Sequence, residues 1–146
     1  MKRRPGSVIA IDHGTKRTGF AVADALRIAT EPLETYHGPG DGPALLEHVA
    51  KLLRERDVEL FVVGRPLNMD GTAGPRCADV ERFIAALAAR FPTTPVVAHD
   101  ERLTTKAAEE LGRELGLRGL ALRARRDSLS AVVLLRDWLA SGEPRT

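Results

Sequence analysis

"VIAIDHGTKRTGFAVAD", residues 8–24, consists of two apolar runs joined by a short turn. Residues 7–11 and 18–23 predict two buried strands, and the brevity of the turn predicts an antiparallel hairpin. The first run ends at Asp12, whose carboxylate is costly to remove from water without a cationic partner. Asp12 is therefore the first candidate functional residue, with a turn-capping role as the alternative.

Outward from this hairpin, the pattern predicts three more strands and four helices. The strands are residues 28–37, placed at a sheet edge by Pro32, then 59–64 and 94–101. Apolar spacing predicts helices marked by Leu45–Leu53, Pro75–Leu87, Leu103–Leu115 and Leu129 to near Gly142. Because strands and helices alternate in the second half, we expect parallel strands there and an α/β fold with a five-stranded mixed sheet flanked by helices.

Length and composition are those of an ordinary globular domain. The chain has 146 residues, 43% of them apolar and 29% charged, and we expect residues 1–146 to form a single domain. No apolar run is long enough for a membrane span, and no secretory signal is evident, so we expect a cytoplasmic protein without a membrane partner. The single cysteine, Cys77, cannot form an intrachain disulfide, and no Cys/His group has zinc-ligand spacing.

Arginine dominates the basic residues. Only 4 of the 22 are lysine, which a GC-rich genome would also produce. Five arginines nevertheless fall in one stretch where Glu114 is the only acid, namely Arg113, Arg118, Arg123, Arg125 and Arg126. Because guanidinium groups match phosphate geometry, this stretch suggests a surface for nucleic acid.

Further acids follow the fifth strand and precede the last apolar helix. Side chains alternate along a strand, so Asp100 and Glu101 should face opposite ways, and only one can point where Asp12 points. Both could instead cap the following helix, and Asp127 could be the N-cap of the last helix. Carboxylates gathered at the carboxyl ends of strands repel one another unless Mg²⁺ or Mn²⁺ neutralises them. Two such ions would suit phosphodiester hydrolysis.

Four segments together resemble the signature blocks of the YqgF (RuvX-like) family, and they span essentially the whole chain. They are AIDHGTKRTGFAVAD, VVGRPLNMDGTAGPR, DERLTT and RDSLSAVVLLRDWL. The resemblance implies a ribonuclease H-like fold and a metal-dependent nuclease acting in maturation of the 5′ end of pre-16S ribosomal RNA. Relatives reported as Holliday-junction resolvases make a structure-specific DNA endonuclease the alternative.

The resemblance also implies residue roles. The catalytic and metal-binding acids would be Asp12, Glu101 and Asp127, with two Mg²⁺ or Mn²⁺ ions. The family's loop adds Asn68 as a candidate nucleic-acid-binding residue. Apart from the resemblance, we expect Lys16, Arg17 and Arg102, which flank the acids, and Arg123, Arg125 and Arg126 of the arginine stretch to hold the phosphate backbone, with an ordinary solvated face as the alternative for the last three. For the loop containing Asn68, turn chemistry is an equal alternative.

Other functions stay open at this point. A non-catalytic nucleic-acid-binding module would bind without metal, and a phosphotransferase is the weakest alternative because actin-like ATPases need two such domains. The substrate, an RNA precursor or branched or single-stranded DNA, is undecided. A monomer and a homodimer are both compatible with the sequence.

Overall fold

The computed structural model describes residues 5–102 and 104–145, so the predicted helix position Leu103 lies outside the described residues. The elements in chain order are β1 (Ser7–Asp12), β2 (Arg17–Ala23), β3 (Thr30–His37), α1 (Pro43–Glu55), β4 (Val58–Arg65), α2 (Pro75–Arg90), β5 (Val96–Asp100), α3 (Thr104–Glu114) and α4 (Gly119–Ala140). Helices α1 and α2 both begin with proline, whose fixed φ suits the first helical position.

The five strands form one mixed sheet in the order β3-β2-β1-β4-β5. Strands β1, β2 and β3 are antiparallel neighbours, whereas β4 runs parallel to both β1 and β5. The predicted five-stranded mixed sheet is therefore confirmed. The strand that contains Pro32 lies at an edge, as predicted, where a missing N–H donor costs no ladder hydrogen bond on its outer side.

Alternate side chains of the central strands enter two separate cores. One core joins the sheet to α4 and contains Val8, Ala10 and Trp138. The other, which contains Ile9 and Ile11, joins the opposite face to α1 and α2. We call these the α4 face and the α1/α2 face. Because side chains alternate with a period of two, each strand residue near the site can be assigned to one face.

Helix α4 begins earlier than the sequence suggested. The apolar pattern placed Asp127 at the start of the last helix, but the helix begins at Gly119 and its flanking residue is Arg118. The N-cap alternative for Asp127 is therefore wrong. The reason is that the helix is buried only from Ser128 onward, so its first two turns carry no apolar stripe along the sheet.

Within the described residues, no helix combines the length and the apolar character needed to cross a membrane.

Candidate active site

A cleft of about 360 Å³ lies beyond the carboxyl end of β1. It contains three of the acids and two of the basic residues singled out from the sequence. Its lining residues are Asp12, His13, Gly14, Thr15, Lys16, Arg17, Pro66, Arg76, Glu101 and Asp127.

Strand alternation brings two of the acids into this cleft. Asp12 has the same parity as Val8 and Ala10, so it belongs to the α4 face. Glu101 has the parity of Val97 and lies on the same face, just after β5. The β4 residue between them is Gly64, and a Cβ atom there would overlap the Glu101 carboxyl group. Because Gly64 has no side chain, Glu101 has the space to reach Asp12 across β4.

The third acid arrives from α4. Asp127 lies about three turns before Trp138 in that helix, and its backbone carbonyl lies directly over Gly19 of β2. Gly19 is the β2 partner of Asp12 in the antiparallel ladder. Close approach of helix and sheet at this glycine places the Asp127 carboxylate at the same cleft as Asp12.

Asp12 and Glu101 share a hydrogen bond. Burial raises the pKa of Asp12 to about 6, an effect reduced by the hydrogen bond from Glu101 and enhanced by the negative charge of Asp127. Burial and repulsion from Asp12 raise the pKa of Glu101 to about 9. At neutral pH the pair therefore holds one proton, with Glu101 as the donor and Asp12 as the acceptor.

The donor set fits a hard divalent cation. Carboxylate oxygens are the ligands that Mg²⁺ and Mn²⁺ prefer, and three carboxyl groups line this one cleft, two of them with raised pKa values. As the side chains lie, Asp127 pairs with Arg17 at 3.1 Å, and no three described Asp, Glu, His or Cys side chains are grouped as ligands of one ion.

Arg76 and His13 are cleft residues that sequence reasoning missed. Arg76, at the start of α2, donates a hydrogen bond to the His13 carbonyl oxygen at 2.8 Å and pairs with Asp79 at 2.8 Å. Its positive charge lowers the pKa of both Asp12 and Glu101. The signal was present in the sequence, because Arg76 directly follows the proline that opens α2 and so belongs to the helix end nearest the loop.

The ring of His13 fixes the loop after β1. Its Nε2 lies 2.6 Å from the Gly40 carbonyl oxygen, which can only accept, so Nε2 carries the proton. The ring stacks on Phe83 with centroids 4.6 Å apart. Burial lowers the pKa of His13, which keeps the ring neutral. Backbone hydrogen bonds from Gly38 and Gly40 to the Lys16 and Thr15 carbonyls hold the same loop.

Asn68 and Arg102 lie beside the cleft and are not among its lining residues. Asn68 belongs to a tight turn closed by a 2.8 Å hydrogen bond from the Gly71 N–H, and its side chain donates to Thr72. Arg102 pairs with Asp100 at 2.7 Å and donates to the Met69 carbonyl. Asn68 thus closes its own loop, Arg102 connects that loop to the end of β5, and nucleic-acid contact stays a prediction for each.

The three arginines of α4 that are predicted to bind nucleic acid lie on different sides of the helix. Arg123 precedes Asp127 by four residues, so the two lie on the same side of the helix. Arg125 is two residues from Asp127, about 200° around the helix, and points the other way. Both side chains are exposed, and Arg126 is half-buried between them. Arg123 is therefore the member of this group best placed to extend the cleft.

Two other acids have partners elsewhere. Asp100 faces away from Glu101 and is held by Arg102. Asp137, further along α4, accepts a 2.7 Å hydrogen bond from His99 of β5. The sequence had already separated Asp137 from Asp127 by helix length, and the structure confirms that separation.

Comparison with known proteins adds the family and the fold relationship. A sequence model of the RuvX family, described as Holliday junction resolvase, matches residues 6–141. A relative from Roseiflexus sp. (strain RS-1), named "Putative pre-16S rRNA nuclease", is 37% identical over 97% of this chain and 99% of its own length. A relative from Lachnospira eligens with the same name is 38% identical over 92% and 96% of the two chains.

Solved structures confirm the ribonuclease H-like fold. T. thermophilus RuvC in complex with Holliday junction substrate superposes with a TM-score of 0.54 at 21% identity, covering 93% of this chain and 96% of that one. Fowlpox virus resolvase in complex with substrate Holliday junction DNA gives a TM-score of 0.54 at 10% identity, covering 94% and 99%. At such low identity these two structures carry the fold alone.

Proposed function

Because the chain belongs to the RuvX family, we propose that it is a metal-dependent nuclease that hydrolyses phosphodiester bonds at the 5′ end of pre-16S ribosomal RNA in the cytoplasm. The observation that supports this activity best is the hydrogen-bonded pair Asp12 and Glu101, with Asp127 at the same cleft. The name shared by the relatives supports the RNA substrate over a DNA junction.

The three carboxylates would hold two Mg²⁺ or Mn²⁺ ions. Asp12 would contribute to both ions, and Glu101 and Asp127 would each contribute to one. When bound, the ions supply an activated water and neutralise the charge that develops on the phosphate. Glu101 must release its proton for this, because only the ionised carboxylate is a good ligand. Metal affinity should therefore increase with pH.

The cations around the cleft would hold the phosphate backbone. Lys16 and Arg17 are exposed at the mouth, and Arg76, at the start of α2, is half-buried. The Arg17 side chain is 51% exposed and pairs with Asp127, so it can exchange that carboxylate for a substrate phosphate when a metal ion takes its place. Arg76 is held from both sides, by the His13 carbonyl and by Asp79. Its guanidinium would act as a fixed hydrogen-bond donor to a substrate phosphate.

Cleavage by the Asp12→Asn variant tests this function. We expect the purified wild-type protein to cleave a 5′ pre-16S RNA fragment with Mg²⁺ or Mn²⁺ and not with chelator. The variant should lose cleavage and retain RNA binding, because asparagine preserves the shape but not the charge of the side chain. Asp100→Asn, next to the site but on the other face, is the matched control and should remain active.

The substrates in this experiment separate the alternatives. The same reaction is run with single-stranded RNA and with a four-way DNA junction. Preferred, symmetric cutting of the junction would replace the RNA assignment with that of a resolvase. Binding without any metal-dependent cleavage of the three substrates would favour a non-catalytic module, and cleavage by Asp12→Asn would contradict the roles given to the carboxylates.

A further inference from the structure

A second and larger pocket adjoins the cleft. It has a volume of about 510 Å³, within the range of about 300–1,000 Å³ typical of small-molecule sites. It lies between the β1–β2 loop, the β3–α1 loop and one side of α2. None of the three acids assigned to catalysis lines it. The name base pocket is used for the space bounded by Leu46, Phe83 and Ala86 on the apolar side and by Thr15, Asp41, Asp79 and Arg82 on the polar side.

The base pocket and the cleft share one wall. His13 and Thr15 line both spaces. This wall is well fixed, since His13 is buried, stacks on Phe83 and bonds to Gly40, while Thr15 accepts a backbone hydrogen bond from Gly40 at 3.0 Å. The two spaces are thus neighbours on either side of the β1–β2 loop, so a strand bound along the cleft passes beside the base pocket.

The lining chemistry selects a base rather than a phosphate. Phe83, Leu46 and Ala86 offer an apolar surface, and the flat face of any nucleobase can pack against it out of water. Arg82 also lines the pocket but is paired with Asp79, so Asp41 leaves the lining with a net negative charge, which disfavours a phosphate. Asp41 has no ion-pair partner among the described residues, so its carboxylate remains available to accept hydrogen bonds from an amino group of a base.

We infer that the base pocket receives one unstacked base of the strand whose phosphates lie along the cleft. This inference rests on the proposed function and names the form of its substrate, a strand that is single at the position next to the cut. An unpaired strand can turn a base out at little cost, whereas a duplex must lose stacking and pairing to do so. Adenine, cytosine and guanine carry an exocyclic amino group for Asp41, and uracil does not.

An abasic scan tests the inference without cleavage. Affinity is measured by fluorescence anisotropy in chelator, with a fluorescein-labelled single-stranded oligoribonucleotide and a series in which one nucleotide at a time is abasic. For the wild-type protein we expect one position at which loss of the base weakens binding about tenfold, the scale of one base stacked on protein. A flat profile across all positions would overturn the inference.

Filling the pocket supplies the matched pair of variants. Ala86→Trp places an indole in the pocket from an exposed helix position. We therefore expect this variant to bind the intact oligoribonucleotide more weakly than wild type, with no further loss of affinity when the sensitive nucleotide is abasic. Ala88→Trp adds the same ring about 200° around α2 and should behave as wild type. If the abasic effect persists in Ala86→Trp, the base is held elsewhere and the inference is wrong.

Asp41→Ala gives a second readout on an exposed loop residue. With the sensitive position occupied in turn by each base, the wild-type protein should bind amino-bearing bases more tightly than uracil, and the variant should lose this preference. If both proteins show the same base preference, Asp41 does not bind the base, and its part in the inference is wrong. Because every measurement is made without metal, failure here leaves the cleavage results intact, and absence of cleavage with a normal abasic profile would overturn only the proposed function.

Discussion

Gly19 lies opposite Asp12 in the β1–β2 ladder, and the carbonyl of Asp127 occupies the space where a Gly19 side chain would be. One residue without a Cβ atom thus determines how closely α4 approaches the end of β1. The distance between the Asp12 and Asp127 carboxylates depends on this contact, although Gly19 itself has no chemistry. The site is assembled by packing as much as by its acids.

Gly19→Ala should therefore damage the site without removing any of its functional groups. The new methyl group must push α4 away from β2, and displacements of about 1 Å can cost about a hundredfold in rate. We expect cleavage to fall by about that factor, with a loss of stability of about 1–3 kcal/mol from overpacking. Both are measured, by initial rates and by thermal unfolding.

Gly112→Ala is the matched control for this variant. Its methyl group would press on Leu122 between α3 and α4, away from the cleft. We expect unfolding at a lower temperature but near-normal cleavage. If Gly19→Ala keeps full activity at saturating metal, the placement of Asp127 by Gly19 is not important for catalysis.

The pH dependence of stability should report the shared proton of Asp12 and Glu101. Both carboxyl pKa values are raised on folding, so the folded protein binds more protons than the unfolded chain. The associated stability is fully present below about pH 4 and is lost as pH rises through about 6 and then about 9. In chelator, the unfolding temperature should fall by at most about 4 °C per pH unit between pH 6 and pH 9, where the folded state holds one extra proton, and by up to about twice that just below pH 6, where it holds two.

Glu101→Gln isolates this effect. Glutamine can still donate a hydrogen bond to Asp12 but has no proton to lose, so the fall in unfolding temperature between pH 7 and pH 9 should be smaller than in wild type. Asp100→Asn is the control, because hydrogen bonds from Arg102 outweigh burial and lower the pKa of Asp100. That variant should lose stability relative to wild type above the Asp100 pKa. Identical slopes for Glu101→Gln and wild type would contradict the shared proton.

The sheet and its acids could be predicted because their signals are local. Asp12 ends a continuous apolar run, and the alternation of side chains places either Asp100 or Glu101 with it. The choice between those two needs the face on which α4 packs, because Val97 and His99 share the parity of Glu101 and both contact that side. Sequence parity alone cannot say which face is which.

Three features could not be read from the sequence for different reasons. The first turns of α4 extend past the sheet, so no apolar period marks its beginning before Asp127. The place of Arg76 at the start of α2 was visible in the sequence, but its hydrogen bond to the backbone carbonyl of His13, sixty-three residues away in the chain, was not. The pairing of Arg17 with Asp127 likewise joins β2 to α4, and only the packing of the two elements creates it.

Arg76→Ala should weaken metal binding as well as substrate binding. Its positive charge lowers the pKa of Asp12 and Glu101, so its loss makes both carboxyl groups harder to ionise. We expect a higher Mg²⁺ concentration at half-maximal cleavage, with the difference from wild type shrinking as pH rises. Arg90→Ala, at the far end of α2 and paired with Glu47, should leave the Mg²⁺ requirement unchanged. If Arg76→Ala needs the same Mg²⁺ concentration as wild type, the charge of Arg76 does not assist metal binding.

Arg123 should contribute one phosphate contact that its neighbours do not. It lies on the Asp127 side of α4, whereas Arg125 points the other way and Arg136 donates to Thr30 near the opposite end of the sheet. In chelator, the slope of log affinity against log salt for single-stranded RNA should become shallower by about 0.7 in Arg123→Ala, the value for one contact. Arg136→Ala should keep the wild-type slope, and Arg125→Ala should change it less than Arg123→Ala. Equal slopes for the Arg123 and Arg136 variants would mean that the strand leaves the cleft in another direction.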